Sequence, residues 1–405
     1  MENNTNIECL PKTSCTGCKM CADICPQKAI LFAEDEETFV YPLVDSSRCT
    51  HCGLCVHACP ALNTKLHNKV GEVYSAYATN SALHETGSSG GLFPLFADAI
   101  LGDGNVVYGA AFDENLKLKH CRVTDIRDLR PLCKSKYVQS DCGTIYLKVK
   151  SDMQLGKKVL FVGTPCQCQA LKNFIGEKWR ENLILIDFVC HGVPSQHLFD
   201  DNIRWNSKRY GNIKSIEFRY KSKGGVKHPQ TLKMVYEKEG EEKSLLRLHY
   251  QDPFYFGFQK HITLRPSCYQ CKWARAERCS DITIGDFWGI EKMGNGLNSK
   301  KGVSCVLLNT EKGVSLFAKI GKHLSGVFSF PIEFAVDNNE CLQSPTKNVA
   351  DRSAFFEDWK RHGYDYVVNR YLIPKRKWIF DFYYAMPHYL RALIRKLMDK
   401  RMRYE

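Results

Sequence analysis

Residues 15–26, Cys-Thr-Gly-Cys-Lys-Met-Cys-Ala-Asp-Ile-Cys-Pro, read C-x2-C-x2-C-x3-C-P. Residues 49–60, Cys-Thr-His-Cys-Gly-Leu-Cys-Val-His-Ala-Cys-Pro, repeat that spacing 34 residues later. Three thiolates at two-residue gaps wrap one face of a four-iron cube, while the fourth points away. In a tandem repeat of this kind the fourth cysteine ligates the opposite cluster. The spacing therefore predicts two [4Fe–4S] clusters, one held by Cys15, Cys18, Cys21 and Cys59, the other by Cys49, Cys52, Cys55 and Cys25. Pro26 and Pro60 remove a backbone donor and set the chain direction just after each crossing ligand. Zinc is the competing metal, but structural zinc sites pair two C-x2-C knuckles, and three cysteines in tandem suit a tetrahedral ion poorly. A radical-SAM arrangement would need a cysteine where Lys28 stands. Around the acidic 34–37 turn, residues 29–32 and 38–44 are expected as short strands.

Outward from these motifs the chain runs to 405 residues, enough for two or three domains with their own cores. Hydrophobic residues at 44% and charged residues at 25% are ordinary for a globular protein. Twenty cysteines are not. The first eleven residues lack the apolar stretch of a signal peptide, and no run approaches the ~20 apolar residues of a spanning helix. A cysteine-rich chain in a reducing compartment points to metal or redox chemistry, so the expected location is the cytoplasm.

The formal charge of +13 admits nucleic acid, a membrane surface or an acidic partner. No zinc-finger, helix-turn-helix or RNA-binding signature accompanies it, so no nucleic-acid partner is expected. From 375 to 405 nine Lys or Arg face three acidic residues. Trp378, Phe380, Phe382, Tyr383, Tyr384, Leu390, Leu393, Ile394 and Leu397 are interspersed among them. Peripheral contact with an anionic membrane is one reading; a helix packed on the core with a solvated basic face is the other.

From residue 71 the pattern alternates between strand-like and helix-like runs. Residues 73–78 and 106–112 read as strands. Between them, Gly87-Ser88-Ser89-Gly90-Gly91 opens an amphipathic helix over 92–101. Small residues before a helix can seat a phosphate or flavin pyrophosphate, or merely form a Gly/Ser connector. Residues 158–162 and 183–189 are apolar strands separated by a helix over 167–175, a βαβ unit with parallel strands. Cys166 and Cys190 then lie at the carboxyl ends of neighbouring strands, where open α/β sheets bind ligands. Cys268 and Cys271 form a C-x2-C knuckle before a strand over 281–285. These four could bind a third [4Fe–4S] cluster, with Cys279 and Cys168 as competitors. Cys166 and Cys190 also read as buried small hydrophobes, and zinc is open for the knuckle. Cys9, Cys121, Cys133, Cys142, Cys305 and Cys341 show no ligand spacing and read as structural thiols.

Several motifs in this order resemble one family. They are Ser89-Gly90-Gly91, Lys134-Ser135-Lys136-Tyr137-Val138-Gln139-Ser140, Gly163-Thr164-Pro165-Cys166-Gln167, Cys190-His191-Gly192-Val193-Pro194, Cys268-x2-Cys271 and residues 281–289, Asp-Ile-Thr-Ile-Gly-Asp-Phe-Trp-Gly. With its ferredoxin motifs, the chain resembles the coenzyme F420 hydrogenase/dehydrogenase beta-subunit family as far as about residue 310. The resemblance implies an α+β ferredoxin-like N-terminal domain (1–66) joined to a larger α/β flavin-binding domain (70–345); the basic aromatic helical extension (351–405) falls outside the shared region. It implies FAD beside the third cluster at Cys166, Cys190, Cys268 and Cys271. Ser88, Ser89, Gly90 and Gly91 would contact the flavin or its diphosphate, and Lys136, Tyr137, Gln139 and Ser140 would line its pocket near Gly163 and Thr164. His191, Lys136 and Tyr137 would be the candidate proton donors, although for His191 a backbone-orienting role after the strand is the favoured reading. The implied activity is an iron–sulfur flavin-dependent oxidoreductase. It would relay electrons between a redox protein partner of ferredoxin type and an organic substrate, in the polysaccharide or cell-envelope setting of similar bacterial proteins. An electron-transfer subunit docked on a catalytic partner is the alternative.

Overall fold

The structure, a computed structural model, describes residues 5–64, 68–221, 230–293, 297, 301–386 and 390–391. In the first sixty residues the cysteine repeat becomes a backbone repeat. Gly17 (φ 65°) and His51 (φ 52°) occupy the same place in the two motifs, as do Lys19 (φ 64°) and Gly53 (φ 74°). Each left-handed pair tightens the loop that carries the first two cysteines, then launches a one-turn helix, Met20–Ile24 or Leu54–Ala58. The third cysteine lies inside each helix, and the fourth, Cys25 or Cys59, caps its end in extended conformation. Strands β1 (Ile30–Glu34) and β2 (Val40–Val44) pair antiparallel about the acidic turn.

The body is an eight-stranded mixed sheet. Its strands are β3 (Glu72–Ala78), β4 (Val106–Phe112), β5 (Leu118–Val123), β6 (Val159–Gly163), β7 (Leu183–Phe188), β11 (Ile282–Asp286), β12 (Ser304–Leu308) and β13 (Leu324–Phe330), in the order β13-β3-β12-β11-β7-β6-β4-β5. The four central strands, β4, β6, β7 and β11, run parallel. They read as continuous apolar runs because both faces are covered, as parallel strands require. The outer pairs, β4–β5, β11–β12, β12–β3 and β3–β13, are antiparallel. A separate antiparallel sheet joins β8 (Asn212–Glu217), β9 (Thr231–Lys238) and β10 (Glu241–Leu248).

The crossover from β6 to β7 is the Pro165–Ile175 helix, which begins two residues before the stretch expected from apolar spacing. Pro165 supplies a preset φ at its first position, and Thr164 forms a reciprocal capping box with Gln167. This helix also anchors the cysteine-rich module: Asn173 Nδ2 donates to the carbonyls of Ala58 and Asn63, 3.1 Å each.

Three-dimensional packing ignores the order of the chain. Ile7, Phe39 and Tyr41 of the first module share one apolar core with Phe199, Phe254 and Tyr255, and with Phe355, Phe356 and Trp359 of the helix Arg352–His362. Arg352 closes that seam. It donates to both carboxylate oxygens of Glu37 (2.8 and 2.5 Å) and to the Leu264 carbonyl. Further on, the Lys377–Ala385 helix lays Phe380 and Tyr384 on Tyr250, whose hydroxyl donates to Asp381 at 3.0 Å. On the opposite side Trp378 and Phe382 are 69% and 65% exposed. Leu393, Ile394 and Leu397 of the basic tail lie outside the described residues.

Candidate metal centre

The folded first module gathers each set of four cysteines across the two repeats. One pocket is lined by Cys25, Cys49, Cys52 and Cys55, so the last cysteine of the first repeat stands with the first three of the second. Cys52 is exposed, which places this outer set at the surface. The inner set, Cys15, Cys18, Cys21 and Cys59, is buried throughout. Burial raises the Cys21 thiol well above its ordinary pKa, and Cys18, Cys15 and Cys59 raise it further; Cys59 is raised by burial and also by Cys15.

Such thiols cannot ionise together without a cation among them. An iron cluster provides one and in binding drives off the protons. The donor set therefore fits. Among the described residues no three His, Cys, Asp or Glu side chains are placed to hold a single metal ion. A four-iron cube is wider than one ion, and its thiolates stand correspondingly farther apart.

A third gathering lies at the sheet. Cys166 sits in the first turn of the Pro165–Ile175 helix, and Cys190 follows β7 by two residues. Cys268 rides on the Pro266–Gln270 turn, which Cys271 caps. Burial raises all four thiols. Next in influence come other members of the set: Cys271 on Cys166, and Cys268 then Cys271 on Cys190. For Cys268, pushed up to about 12, the next is Cys271, and Cys166 adds to it. Gly192 lets the Cys190 loop approach, because a Cβ there would stand 3.0 Å from that of Cys268. Its φ of +125° is also one that other residues rarely adopt. Cys18 of the inner set lies near enough to Cys166 for that thiol to add to the cost of charging Cys18.

The competitors fall elsewhere. Cys279 is buried beside Asp187 and Cys168, with its Sγ 4.0 Å from the Pro165 carbonyl. Cys168 faces the Gly163 and Ile186 carbonyls. Cys341, without ligand spacing in the sequence, comes close to the third set: its Sγ is 3.4 Å from His191 Nδ1, and Cys271 adds to its raised pKa.

The residues expected around a flavin divide into separate neighbourhoods. Ser88 Oγ accepts from the Ser135 amide (2.7 Å), and the Ser88 carbonyl accepts from Arg219. Ser89 Oγ donates to Val303 O, and the Gly90 amide donates to Ser304 Oγ. Gly91 (φ 76°) begins the Leu92–Leu101 helix; a Cβ there would strike the Leu83 carbonyl at 2.6 Å. Tyr137 stacks on Phe258 at 4.3 Å and touches Tyr255 and Phe218. Lys136 Nζ donates to the Cys133 and Lys134 carbonyls. Gln139 faces the cysteine-rich module instead, donating to Thr16 O and Gly17 O. Ser140 sits under Gly163 and Thr164 in a buried group with His120 and Gln167.

Near Ser88 the fold assembles charge that no motif announced. Arg219 forks onto Asp286 (2.5 and 2.9 Å), Lys221 donates to the His84 and Ser89 carbonyls, and Lys134 pairs with Glu217. Burial pushes Lys134 and Lys136 down to about 8 and Lys221 to about 7. Arg219 Nε is buried without a hydrogen-bond partner. Cations packed this closely, with one donor unmet, suit an anionic ligand. His191 lies between this group and the third cysteine set; burial lowers its pKa, while Asp286 pulls the other way.

Residues 14–63 match the 4Fe-4S dicluster domain, which makes this an iron–sulfur electron-transfer protein. Residues 156–325 match the family described as the C-terminal part of the beta subunit of coenzyme F420 hydrogenase/dehydrogenase. Over those residues the chain is similar to that family of oxidoreductase subunits, and the iron–sulfur domain lies on the N-terminal side of the match. No curated protein sequence matches it. A chain from the xenon-derivatised F420-reducing [NiFe] hydrogenase complex of Methanosarcina barkeri is similar over 75% of this chain and 93% of its own, at 17% identity and a TM-score of 0.42.

Proposed function

We propose that the chain is an iron–sulfur flavoprotein oxidoreductase passing electrons between a ferredoxin-type protein and an organic substrate, in the cell-envelope setting implied by its resemblance. The observation that supports this most is spatial order. The exposed outer cysteine set adjoins the buried inner set, Cys18 approaches Cys166, and His191 leads from the third set to Arg219, Asp286 and Ser88. Each set of four cysteines would hold one [4Fe–4S] cluster, and the Ser88–Gly91 turn with Arg219, Lys221, Lys134 and Lys136 would receive the FAD diphosphate. FAD supplies the exchange between one-electron and two-electron chemistry.

The chain's own groups orient, exclude water and move protons. Tyr137 and its aromatic neighbours make a dry wall. Lys136, at about 8, can give a proton near neutral pH, as a general acid must. His191, its pKa lowered by burial, serves as a neutral donor or acceptor beside Cys341.

Anaerobic purification with iron, sulfide and flavin counted per chain tests the proposal. Three clusters give about twelve irons, with one FAD. About eight irons would remove the third cluster, and colourless or zinc-loaded protein would end the redox reading. A second reading, a subunit without its own substrate, is favoured by the family's description as part of a beta subunit. Substrate turnover by the isolated chain with reduced ferredoxin or dithionite separates the two. We further propose that Trp378 and Phe382, exposed among basic residues, touch an anionic membrane surface. Among the described residues no helix is long and apolar enough to cross a membrane.

A further inference from the structure

Among the described residues five arginines, Arg219, Arg247, Arg265, Arg278 and Arg352, are buried deeply enough for their charge to need an answer. Arg219 has Asp286, Arg247 has Asp252, Arg278 has Asp187 and Arg352 has Glu37. Arg265, 0% exposed, has only neutral partners. Its Nε donates to Cys15 O (2.7 Å), Nη1 to Gln139 Oε1 (3.1 Å) and Nη2 to Val40 O (3.0 Å). The guanidinium lies 4.4 Å from the centre of the Tyr41 ring and 5.4 Å from that of Phe39. Tyr41 supplies no counter-charge, because burial holds its phenol neutral, up to about 12. Among the described residues no carboxylate pairs with Arg265. An unanswered buried guanidinium is among the costliest things a fold can contain.

The position of Arg265 shows where the missing negative charge belongs. Its amide donates to Val193 O, three residues beyond Cys190, and its carbonyl accepts from the Cys268 amide. Its side chain ends against Cys15 and Gly17; a Cβ on Gly17 would stand 2.7 Å from Nη1. The residue thus has its backbone in the third cysteine set and its charge at the inner one. A thiolate-bound iron cluster is a net anion, and every electron added makes it more negative.

We propose that Arg265 is a positioning residue for electrons, its buried guanidinium stabilising the reduced state of the clusters at the inner and third cysteine sets relative to the outer set. Electrons arriving at the exposed Cys52 end are then drawn inward by a fixed charge. This rests on the cluster reading above, and the test keeps the two apart.

The cluster-loaded wild type and Arg265→Gln are titrated anaerobically with dithionite and followed by electron paramagnetic resonance. At fixed applied potential, the reduced-to-oxidised ratio of the inner and third clusters should fall about tenfold in the variant, which is about 59 mV for a one-electron couple. The outer cluster should not move. Arg265→Lys, which keeps the charge but not the fork, should stay near wild type. If Arg265→Gln does not accumulate, Gln139→Glu places a carboxylate against Nη1 at nearly constant volume and should produce the same shift. Unchanged ratios, an equal shift at all three clusters, or an Arg265→Lys shift as large as that of Arg265→Gln overturns the proposal. Wild type without iron fails the cluster reading instead.

Discussion

Asp187, near the end of β7, is 0% exposed, and Arg278, 1% exposed, stands 3.4 Å from its Oδ1. The pairing is unequal. Asp187 Oδ2 also accepts from Ser280 Oγ (2.9 Å), while Arg278 donates to the carbonyls of Phe188, Arg275 and Cys341. Burial raises the Asp187 pKa, and Arg278 is the strongest influence holding it down. Arg278→Met leaves a buried carboxylate facing a thioether, which should cost about 3–5 kcal/mol near neutral pH. The folded-state pKa of Asp187 then climbs further above its unfolded value of about 3.9, so the native state binds the extra proton. Stability must fall as pH rises through that window, by up to ~1.4 kcal/mol per pH unit, and the deficit is smallest in acid. Anaerobic urea unfolding, followed by tryptophan fluorescence at about pH 6 and about pH 8, measures both quantities. The double variant Arg278→Met/Asp187→Asn removes both charges and should recover at least half of the loss, roughly 2 kcal/mol. A single-variant cost under about 1 kcal/mol, no recovery in the double variant, or a deficit growing towards acid would refute this account.

Gly17→Ala puts a Cβ 2.5 Å from Gln139 Nε2 at a φ of +65° and should cost about 2–3 kcal/mol. Limited proteolysis should then release the cysteine-rich module earlier than in wild type; an unchanged digestion pattern counts against the tight seam described here. Trp378→Ser/Phe382→Ser alters two exposed positions of one helix and should abolish sedimentation with anionic vesicles. Folding and iron content should be unaffected, and retained vesicle binding ends the membrane idea.

The two cysteine motifs were legible because three cysteines of each repeat stand at two-residue gaps, and residues 14–63 match the 4Fe-4S dicluster domain. The parallel core was legible at β6 and β7, where two short apolar runs flank a helix-length segment. The β3 side of the sheet was not, since β3 pairs with β12 and β13, both far downstream in sequence, and no local pattern says who pairs with whom. Strand β10, largely exposed along Glu241–Leu248, carries almost no apolar alternation to read. Shared motifs also conceal direction. Lys136, Tyr137 and Gln139 belong to one run, yet Gln139 turns to Thr16 and Gly17 while Tyr137 enters an aromatic cluster. Arg265 resembles any arginine until its burial and its neutral partners are seen together.

The seam between the first module and the helix Arg352–His362 also bears on synthesis. A ribosome delivers the cysteines of the first module early, but Leu264, Arg265 and Phe355, which pack with the inner ones, emerge hundreds of residues later. Throughout most of translation the inner thiols therefore lack their cover and stand open to oxygen. Iron delivery to a nascent chain of this kind must either wait for release or rely on an escort that shields those sulfurs until the far end arrives.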